Sequence, residues 1–256
     1  MSRSSRAGAG AGAAPALRAV LLDAMGTLIK LDPPAARLRK ELARRFGIAV
    51  EETVAQRAIA TEIAYYRRHL DEGRDSSSLA SLRRRCAEIV GQEVARATGA
   101  ALPGADEMTD ALLASLHFSR FADVPEALAE LRRRGLRLVV VSNWDISLPA
   151  VLERLGVSGL VDGVVTSAQA GARKPAAGIF TQALSVAGTD PAEAWHVGDS
   201  LDEDVVGARA AGIEPIFIHR CAARVPEGVQ LPEGVPVIAS LHELTDLLDG
   251  PAPGAQ

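Results

Sequence analysis

LLDAMGTL, at residues 21–28, is the segment from which the architecture of this chain follows. An apolar run at residues 19–22 leads into Asp23, and Gly26 and Thr27 come shortly after it. A short apolar run that ends near a glycine is typical of a buried strand in a parallel sheet. Open α/β sheets carry their reactive groups at the carboxyl ends of such strands. The segment therefore predicts a parallel α/β sheet with Asp23 at its functional edge.

A second acidic segment, VGDSLDED at residues 197–204, lies far downstream and also follows an apolar run. It places Asp199 and Asp204 at the end of another predicted strand, on the same edge of the sheet as Asp23. Carboxylates that converge repel one another, and a hard divalent cation with oxygen ligands removes that conflict. The two segments together predict a Mg²⁺ site beside an aspartate nucleophile.

Strands and helices alternate in the downstream part of the chain. Strand patterns occur at residues 136–141, 160–165, 194–197 and 216–218, and helical patterns at 124–134, 148–155, 176–187, 205–211 and 241–248. Strands separated by helices of this length form right-handed βαβ units. We therefore predict the α/β class, with a doubly wound parallel sheet as a Rossmann-like core.

The region between the first strand and this alternating part has a different pattern. Residues 35–117 carry helical periodicity and no strand pattern. We predict an all-helical cap domain at residues 33–120, inserted into a core formed by residues 17–32 and 121–249. The two ends, residues 1–16 and 250–256, are rich in small residues and proline and are expected to be disordered tails.

Composition limits the classes of partner. The 256 residues carry a net charge of −4, which gives no reason to expect nucleic acid as a partner. Cys86 and Cys221 have neither a disulfide framework nor metal-ligand spacing, which favours a reducing cytoplasm. No apolar run approaches the length of a membrane span. We expect a cytoplasmic protein without a membrane partner, as a monomer or a weak homo-oligomer.

Three further polar residues lie where strands end or helices begin. Ser142 and Asn143 follow the run at 136–141, and Lys174 precedes the helix at 176–187. A lysine there adds a fixed positive charge that can hold a nucleophile and a transferring phosphoryl group together. Ser142 and the backbone amides around Asn143 are suited to phosphate oxygens. Each of the three is also a common residue of ordinary loops.

These segments, in this order, resemble the motifs of the haloacid dehalogenase (HAD) superfamily. The matching sequences are DAMGTL, VVVSNWD, GARKPAAGIF and VGDSLDEDVVGARAAGI, and the resemblance extends from about Leu17 to Leu248. The position of the helical insert is similar to that of the subgroup whose cap follows the first motif (HAD-IA). The resemblance implies a hydrolase with a small phosphorylated substrate and Mg²⁺ as cofactor.

The resemblance also implies roles for the residues around the nucleophile. Asp23 would form an aspartyl-phosphate, and Lys174 would stabilise the transferring group. Thr27 would orient Asp23, or would only satisfy the local backbone. Ser142, Asn143 and Lys174 would bind phosphate.

The implied metal site contains the one departure from the family pattern. Its ligands would be Asp23, Asp199 and the backbone carbonyl of Met25, with Asp204 acting directly or through water. Family phosphatases generally have an aspartate at the position of Met25, and its side chain protonates the leaving alcohol and then activates water. Loss of such acid–base help typically costs about 10²–10⁴-fold in rate.

Three functional hypotheses remain open. The first is a Mg²⁺-dependent phosphatase of a small phosphorylated metabolite. The second, motivated by Met25, is a catalytically weakened binding or regulatory protein on the same scaffold. The third is a dehalogenase that forms an ester on Asp23. Family dehalogenases usually have a tyrosine in place of Met25 and lack the metal carboxylate that Asp199 supplies, which disfavours this third reading.

Selectivity would lie in the insert. Residues 65–69, YYRRH, are the best candidate for substrate recognition, with packing or solvation as the alternative. The other histidines have no metal-ligand spacing and are expected to be structural, namely His117, His196, His219 and His242. Trp144 and Trp195 are expected to be packing residues.

Overall fold

Most strands of the chain belong to one sheet. The computed structural model describes residues 16–221, 228 and 230–250. Within them the strands are β1 (Ala19–Leu22), β2 (Ile29–Leu31), β3 (Phe118–Arg120), β4 (Arg137–Ser142), β5 (Gly163–Thr166), β6 (Ala194–Gly198), β7 (Glu214–Ile218) and β8 (Val237–Ile238). The helices are α1 (Pro34–Phe46), α2 (Glu52–His69), α3 (Ser76–Thr98), α4 (Ala105–Ser115), α5 (Val124–Arg133), α6 (Leu148–Arg154), α7 (Ser167–Ala170), α8 (Ala177–Ala187), α9 (Gly207–Ala210) and α10 (Glu243–Asp249). The expected tails fall almost entirely outside the described residues.

The main sheet has six parallel strands in the order β5-β4-β1-β6-β7-β8. Leu22, the last residue of β1, pairs with Val140 of β4 on one side and with Val197 of β6 on the other. Distant parts of the sequence therefore meet at one edge of the sheet. The two halves of the sheet extend in opposite directions from β1, and open α/β sheets bind their ligands where the strand order reverses in this way.

Alternate strand residues are buried against helices on opposite faces of the sheet. Leu22 and Val140 pack in a cluster with residues of α5, α6 and α10. Leu21 and Val139 pack in another cluster with residues of α8 and α9. This alternation is the two-residue period of a strand, with both faces covered by helices. The α/β class with a doubly wound parallel sheet is confirmed.

The segment between β2 and β3 contains only helices, α1 to α4. Their apolar faces form a cluster of their own, which includes Leu38, Leu42, Ile59, Leu82, Val90 and Leu112. Asp75 caps α3: its carboxylate accepts the Ser78 backbone N–H at 2.8 Å, and Ser78 Oγ accepts the Asp75 N–H at 3.1 Å. No helix in the described part of the chain is long and apolar enough to cross a membrane.

An antiparallel ribbon of β2 and β3, for which the sequence shows no pattern, lies where the chain leaves and rejoins the core. Phe118 of β3 packs against Trp144, with 5.4 Å between ring centroids. Each strand has three residues, too few for an apolar–polar alternation to be visible. The predicted start of β5 at residue 160 is wrong, because Ser158–Leu160 forms a 3₁₀ turn and the strand begins at Gly163.

Candidate active site

Asp23 directly follows β1, and its backbone N–H donates a hydrogen bond to the Val197 carbonyl oxygen at 2.9 Å. The residue is only 4% exposed. Its Oδ1 accepts two hydrogen bonds, from Ser142 Oγ at 3.0 Å and from Lys174 Nζ at 2.7 Å. No hydrogen bond from the described part of the chain reaches Oδ2, so that oxygen is open to a ligand.

Lys174 lies between two carboxylates. Its Nζ donates to Asp23 and also to Asp204 Oδ1, at 2.5 Å, and the residue is 1% exposed. Burial alone would lower the pKa of the ammonium group, but the two carboxylates raise the pKa above its ordinary value. Lys174 therefore retains its charge although its side chain is buried.

Asn143 fixes the backbone that carries Lys174. The Lys174 N–H donates to Asn143 Oδ1 at 2.8 Å, and Asn143 Nδ2 donates to the Lys174 carbonyl oxygen at 3.0 Å. The side-chain amide of Asn143 is thus engaged with protein on both of its atoms. A phosphate could still accept a hydrogen bond from the second N–H of Asn143 Nδ2 or from the backbone N–H of this residue.

His196 belongs to the site network, contrary to the purely structural role that the sequence indicates. Its Nε2 lies 2.8 Å from Asp204 Oδ1, and the Ser200 backbone N–H donates to Asp204 Oδ2 at 3.0 Å. Burial alone would raise the pKa of Asp204, yet Lys174 and His196 hold the pKa well below its ordinary value. The missed signal was a polar residue inside β6, a strand that is otherwise apolar and fully buried.

Asp23, Asp199 and Asp204, which we call the acidic cluster, each place an oxygen within 4.8 Å of the others. Burial raises the pKa of Asp23 to about 7 against the lowering effect of Lys174, and Asp204 and Asp199 add to the rise. Burial and Asp204 raise the pKa of Asp199 to about 6. Crowded oxygen donors with excess negative charge suit a divalent cation such as Mg²⁺.

Two glycines make this crowding possible. Gly26 has φ +83°, and a Cβ built there would lie 1.9 Å from Asp199 Oδ2. A Cβ at Gly198 would lie 2.1 Å from the Asp204 Cγ. Neither position can carry a side chain without moving a carboxylate of the acidic cluster. The close approach of Asp199 and Asp204 therefore explains why both positions are glycine.

Met25 and Thr27 occupy the turn after Asp23. Met25 is partly buried, packs against the core and lines the cavity above the site. Thr27 is fully buried, and its Oγ1 has no hydrogen-bond partner among the described residues. The expected orientation of Asp23 by Thr27 therefore has no hydrogen bond to support it here. The carbonyl oxygen of Thr27 accepts a hydrogen bond from Arg220.

A cavity of about 1180 Å³ opens above the acidic cluster, between the sheet edge and the helical insert. Of the candidate recognition run 65–69, three residues line this cavity, namely Tyr66, Arg67 and Arg68. Tyr65 and His69 do not line it and stack on each other, with 4.1 Å between ring centroids. The run is therefore divided between the cavity and local packing.

Several contacts join the insert to the core beside this cavity, among them two between a side chain of the insert and a charged side chain of the core. Tyr66 Oη donates to Asp145 Oδ2 at 2.9 Å. Asp71, just after α2, forms an ion pair with Arg173 at 2.7 Å. Because Arg173 directly precedes Lys174, the insert is tied to the loop that carries the site lysine.

Comparison with known proteins identifies relatives of the chain. A family model described as haloacid dehalogenase-like hydrolase matches residues 17–212. The chain is 29% identical to haloacid dehalogenase-like hydrolase domain-containing protein 3 of Mus musculus over 245 residues, covering 93% of this chain and 97% of that protein. Ribulose-1,5-bisphosphate 5-phosphatase of Halopiger xanaduensis is 38% identical over 96 residues, covering 37% of this chain and 40% of that enzyme. Other relatives with partial matches also have phosphatase names.

Solved structures share the architecture. A 2-haloacid dehalogenase from Pseudomonas syringae aligns with 91% of this chain and 98% of its own, with a TM-score of 0.62 and 23% identity. At this identity the likeness shows the fold alone, and a fold does not choose between phosphatase and dehalogenase chemistry. The match to the family model is the evidence of membership: the chain belongs to the haloacid dehalogenase-like hydrolases, and several of its relatives are phosphatases.

Proposed function

We propose that the protein is a Mg²⁺-dependent phosphatase of a small phosphorylated metabolite, acting through an aspartyl-phosphate on Asp23. One observation carries the proposal: a buried carboxylate with one oxygen held by Ser142 and Lys174 lies beside Asp199 at the base of a large cavity. The phosphatase names of several relatives support the same class.

In this proposal Asp23 Oδ2 attacks phosphorus in line with the ester bond. A bond forms between Asp23 and phosphorus, the ester P–O bond breaks, and the alcohol leaves with a proton from water. A second water then attacks the acyl phosphate, which releases inorganic phosphate and restores the Asp23 carboxylate. Lys174 keeps its charge and offsets the negative charge that develops on the transferring group. Ser142 keeps the nucleophile oriented throughout.

The residues present fit Mg²⁺. Asp23, Asp199 and the backbone carbonyl of Met25 would hold it, and Asp204 would support it directly or through water. The oxygens of Asp204 already accept bonds from Lys174, His196 and Ser200, which favours the supporting role. When bound, the cation supplies charge neutralisation for the phosphate and for the acidic cluster.

Met25 sets the expected range of substrates. Its side chain has no proton to give to a leaving alkoxide and no base with which to activate water. We therefore expect rapid turnover only with good leaving groups. The test is hydrolysis of p-nitrophenyl phosphate with Mg²⁺, with EDTA and in the Asp23→Asn variant. Activity that requires both Mg²⁺ and Asp23 supports the proposal, and no turnover above Asp23→Asn contradicts it.

Two other functions remain as alternatives. A binding or regulatory protein, favoured by Met25, would bind Mg²⁺ or a phosphate mimic without covalent change at Asp23. A dehalogenase would release halide from a haloacid without a metal. Met25→Asp separates the first alternative from a weakened enzyme, because a restored acid raises turnover only where the rest of the site works. Met25→Asn is the matched control without a titratable proton.

Localisation and assembly also belong to the proposal. The unpaired Cys86 and Cys221 fit a reducing cytoplasm. We propose a cytoplasmic monomer or weak homo-oligomer, with a small phosphorylated molecule as its partner.

A further inference from the structure

Four arginines reach the cavity without an acidic partner. Arg67 and Arg68 lie on α2, Arg83 on α3, and Arg154 at the end of α6. Within residues 16–221, 228 and 230–250, none of their guanidinium groups forms an ion pair or a hydrogen bond with another residue. Arg57 on α2 differs, because it does not line the cavity and pairs with Glu93 at 3.0 Å.

The acidic groups of the cavity do not neutralise these arginines. The acidic cluster sits at the sheet edge around Lys174, and Glu203 lies close enough to Asp199 to contribute to its raised pKa. Asp145 accepts hydrogen bonds from Tyr66 and from the Ser147 backbone N–H at 2.7 Å. Glu62 is buried and forms no ion pair with a described residue, and burial raises the pKa of its carboxyl group. The four arginines therefore carry positive charge that no carboxylate of the cavity compensates.

The cavity is also larger than the reaction needs. A volume of about 1180 Å³ exceeds the roughly 300–1000 Å³ typical of small-molecule sites. A phosphate on Asp23 fills only the end at the sheet edge. The rest of the cavity is lined by apolar side chains, such as Leu79, Leu113 and Ile146, and by the four arginines. Guanidinium groups bind carboxylates and phosphates with paired hydrogen bonds.

We propose that the substrate carries a second anionic group, a carboxylate or a second phosphate, which Arg67, Arg68, Arg83 and Arg154 bind while Asp23 attacks the first phosphate. This inference rests on the proposed phosphatase function and narrows its substrate class. The positive charge of these four arginines selects metabolites with two anionic groups over phosphate esters whose other end is neutral.

The experiment compares matched pairs of substrates. Phosphoglycerate and glycerol phosphate differ in a carboxylate, and a diol bisphosphate and the corresponding monophosphate differ in a phosphate. We expect kcat/KM to be higher for the dianionic member of at least one pair, and the pair with the larger ratio identifies the group. In Arg67→Gln/Arg83→Gln and in Arg154→Gln the preference falls about tenfold, the order expected for charge-assisted contacts partly screened by solvent.

The controls separate recognition from general damage. Arg57→Gln removes an arginine of the same helix and should leave the preference unchanged. Arg57→Gln should also hydrolyse p-nitrophenyl phosphate as the unmodified enzyme does, because Arg57 does not line the cavity. Equal kcat/KM within both pairs, or a preference that survives the arginine substitutions, overturns the inference.

A binding measurement keeps this inference separate from the proposed function. Calorimetry with Asp23→Asn and Mg²⁺ measures the affinity for each member of a pair without turnover. Tighter binding of the dianion, lost in Arg67→Gln/Arg83→Gln, supports the inference even if no ester is hydrolysed and the phosphatase proposal fails. Equal affinity for both members overturns it, whatever the enzyme hydrolyses.

Discussion

At the scale of single residues, the site depends on how buried charges compensate one another. Lys174 contacts Asp23 at 2.7 Å and Asp204 at 2.5 Å, and all three residues are at most 4% exposed. Such an arrangement is stable only while every charge has its partner, because an unpaired ion in a protein interior is strongly disfavoured. The lysine is therefore structural as well as chemical in its role.

Replacing Lys174 should cost stability as well as activity. Lys174→Met leaves two buried carboxylates beside each other, and we expect a loss of about 3–5 kcal/mol in the free energy of unfolding at neutral pH. Urea denaturation of the metal-free protein measures this loss. Lys40→Met, at an exposed lysine of α1, is the control and should have little effect. A Lys174→Met protein as stable as that control would show that the cluster does not need the charge.

Part of this residue-level picture follows from the sequence. The approach of Asp23, Ser142, Lys174, Asp199 and Asp204 could be predicted, because parallel strands bring their carboxyl ends to one edge. The partners of individual atoms could not. The side chain of Asn143 bonds to the Lys174 backbone, and the hydroxyl of Thr27 has no hydrogen-bond partner among the described residues. Both facts depend on loop geometry that no spacing rule encodes. The contact of His196 with Asp204 also required coordinates.

At the scale of elements, Asp123 joins three distant pieces of the chain at the start of α5. Its Oδ2 accepts hydrogen bonds from Arg220 at 2.6 Å, from Ser240 Oγ at 2.8 Å and from the Leu241 N–H at 2.7 Å. Arg220 in turn donates to the Thr27 carbonyl oxygen, in the turn that follows Asp23. The network therefore stabilises the turn that follows Asp23.

This network predicts a pH dependence of stability. Burial alone would raise the pKa of Asp123, but the hydrogen bonds from Arg220, Leu241 and Ser240 outweigh it and lower the pKa below the ordinary value of 3.8. A group with a lowered pKa in the folded state stabilises the fold above its unfolded pKa, and this contribution is lost as the pH falls through the folded pKa. We expect Asp123→Asn to cost about 2 kcal/mol at neutral pH. The difference from the unmodified protein should shrink below a pH of about 4.

Urea denaturation at several pH values measures that difference. Asp110→Asn, at an exposed carboxylate of α4, should leave the stability unchanged over the same range. A difference for Asp123→Asn that stays constant down to the acid limit would contradict the assigned role of the carboxylate.

Sequence periodicity predicts the helices and strands that are long enough for an apolar pattern to be visible. Helices α1 to α4 and the main strands have clear apolar patterns, whereas the ribbon of β2 and β3 has three residues in each strand. The helix after Asp199 begins earlier than the predicted residue 205, as a π-helical turn at Leu201–Val206. Its first residues are mostly acidic, so no apolar period marks them. Ser200 caps the turn by accepting the Glu203 N–H at 3.3 Å.

At the scale of the whole molecule, the core supplies the acidic cluster and the insert supplies the far wall of the cavity. The sequence indicates both parts, because the insert differs from the core in its periodicity. It does not indicate how the parts meet, since the contacts of Tyr66 with Asp145 and of Asp71 with Arg173 join residues far apart in the chain. The distribution of charge across the cavity, acidic at the sheet edge and basic at α2, α3 and the end of α6, emerges only when the insert and the core are placed together.

The acidic cluster should make global stability depend on a divalent cation. A ligand that binds only the folded state stabilises it, by about 1.4 kcal/mol at ten times its Kd. We expect Mg²⁺ to raise the melting temperature of the unmodified protein and EDTA to reverse the rise. Asp199→Asn should abolish the response, and its metal-free form should be no less stable, because one repulsive charge is gone. Asp202→Asn, at an exposed neighbour outside the acidic cluster, should keep the response. A rise of equal size in Asp199→Asn would contradict this account of the cation site.

The proposed reaction requires that Asp23 becomes covalently phosphorylated during turnover. Because Met25 supplies no base to activate water, the acyl phosphate should decay slowly enough to be captured. The decisive measurement is peptide mass spectrometry of enzyme quenched in acid during turnover of an aryl phosphate with Mg²⁺. We expect one added phosphoryl group on the peptide that contains Asp23, absent with EDTA and in Asp23→Asn. Sustained turnover without phosphorylation at Asp23, or undiminished turnover in Asp23→Asn, would contradict it.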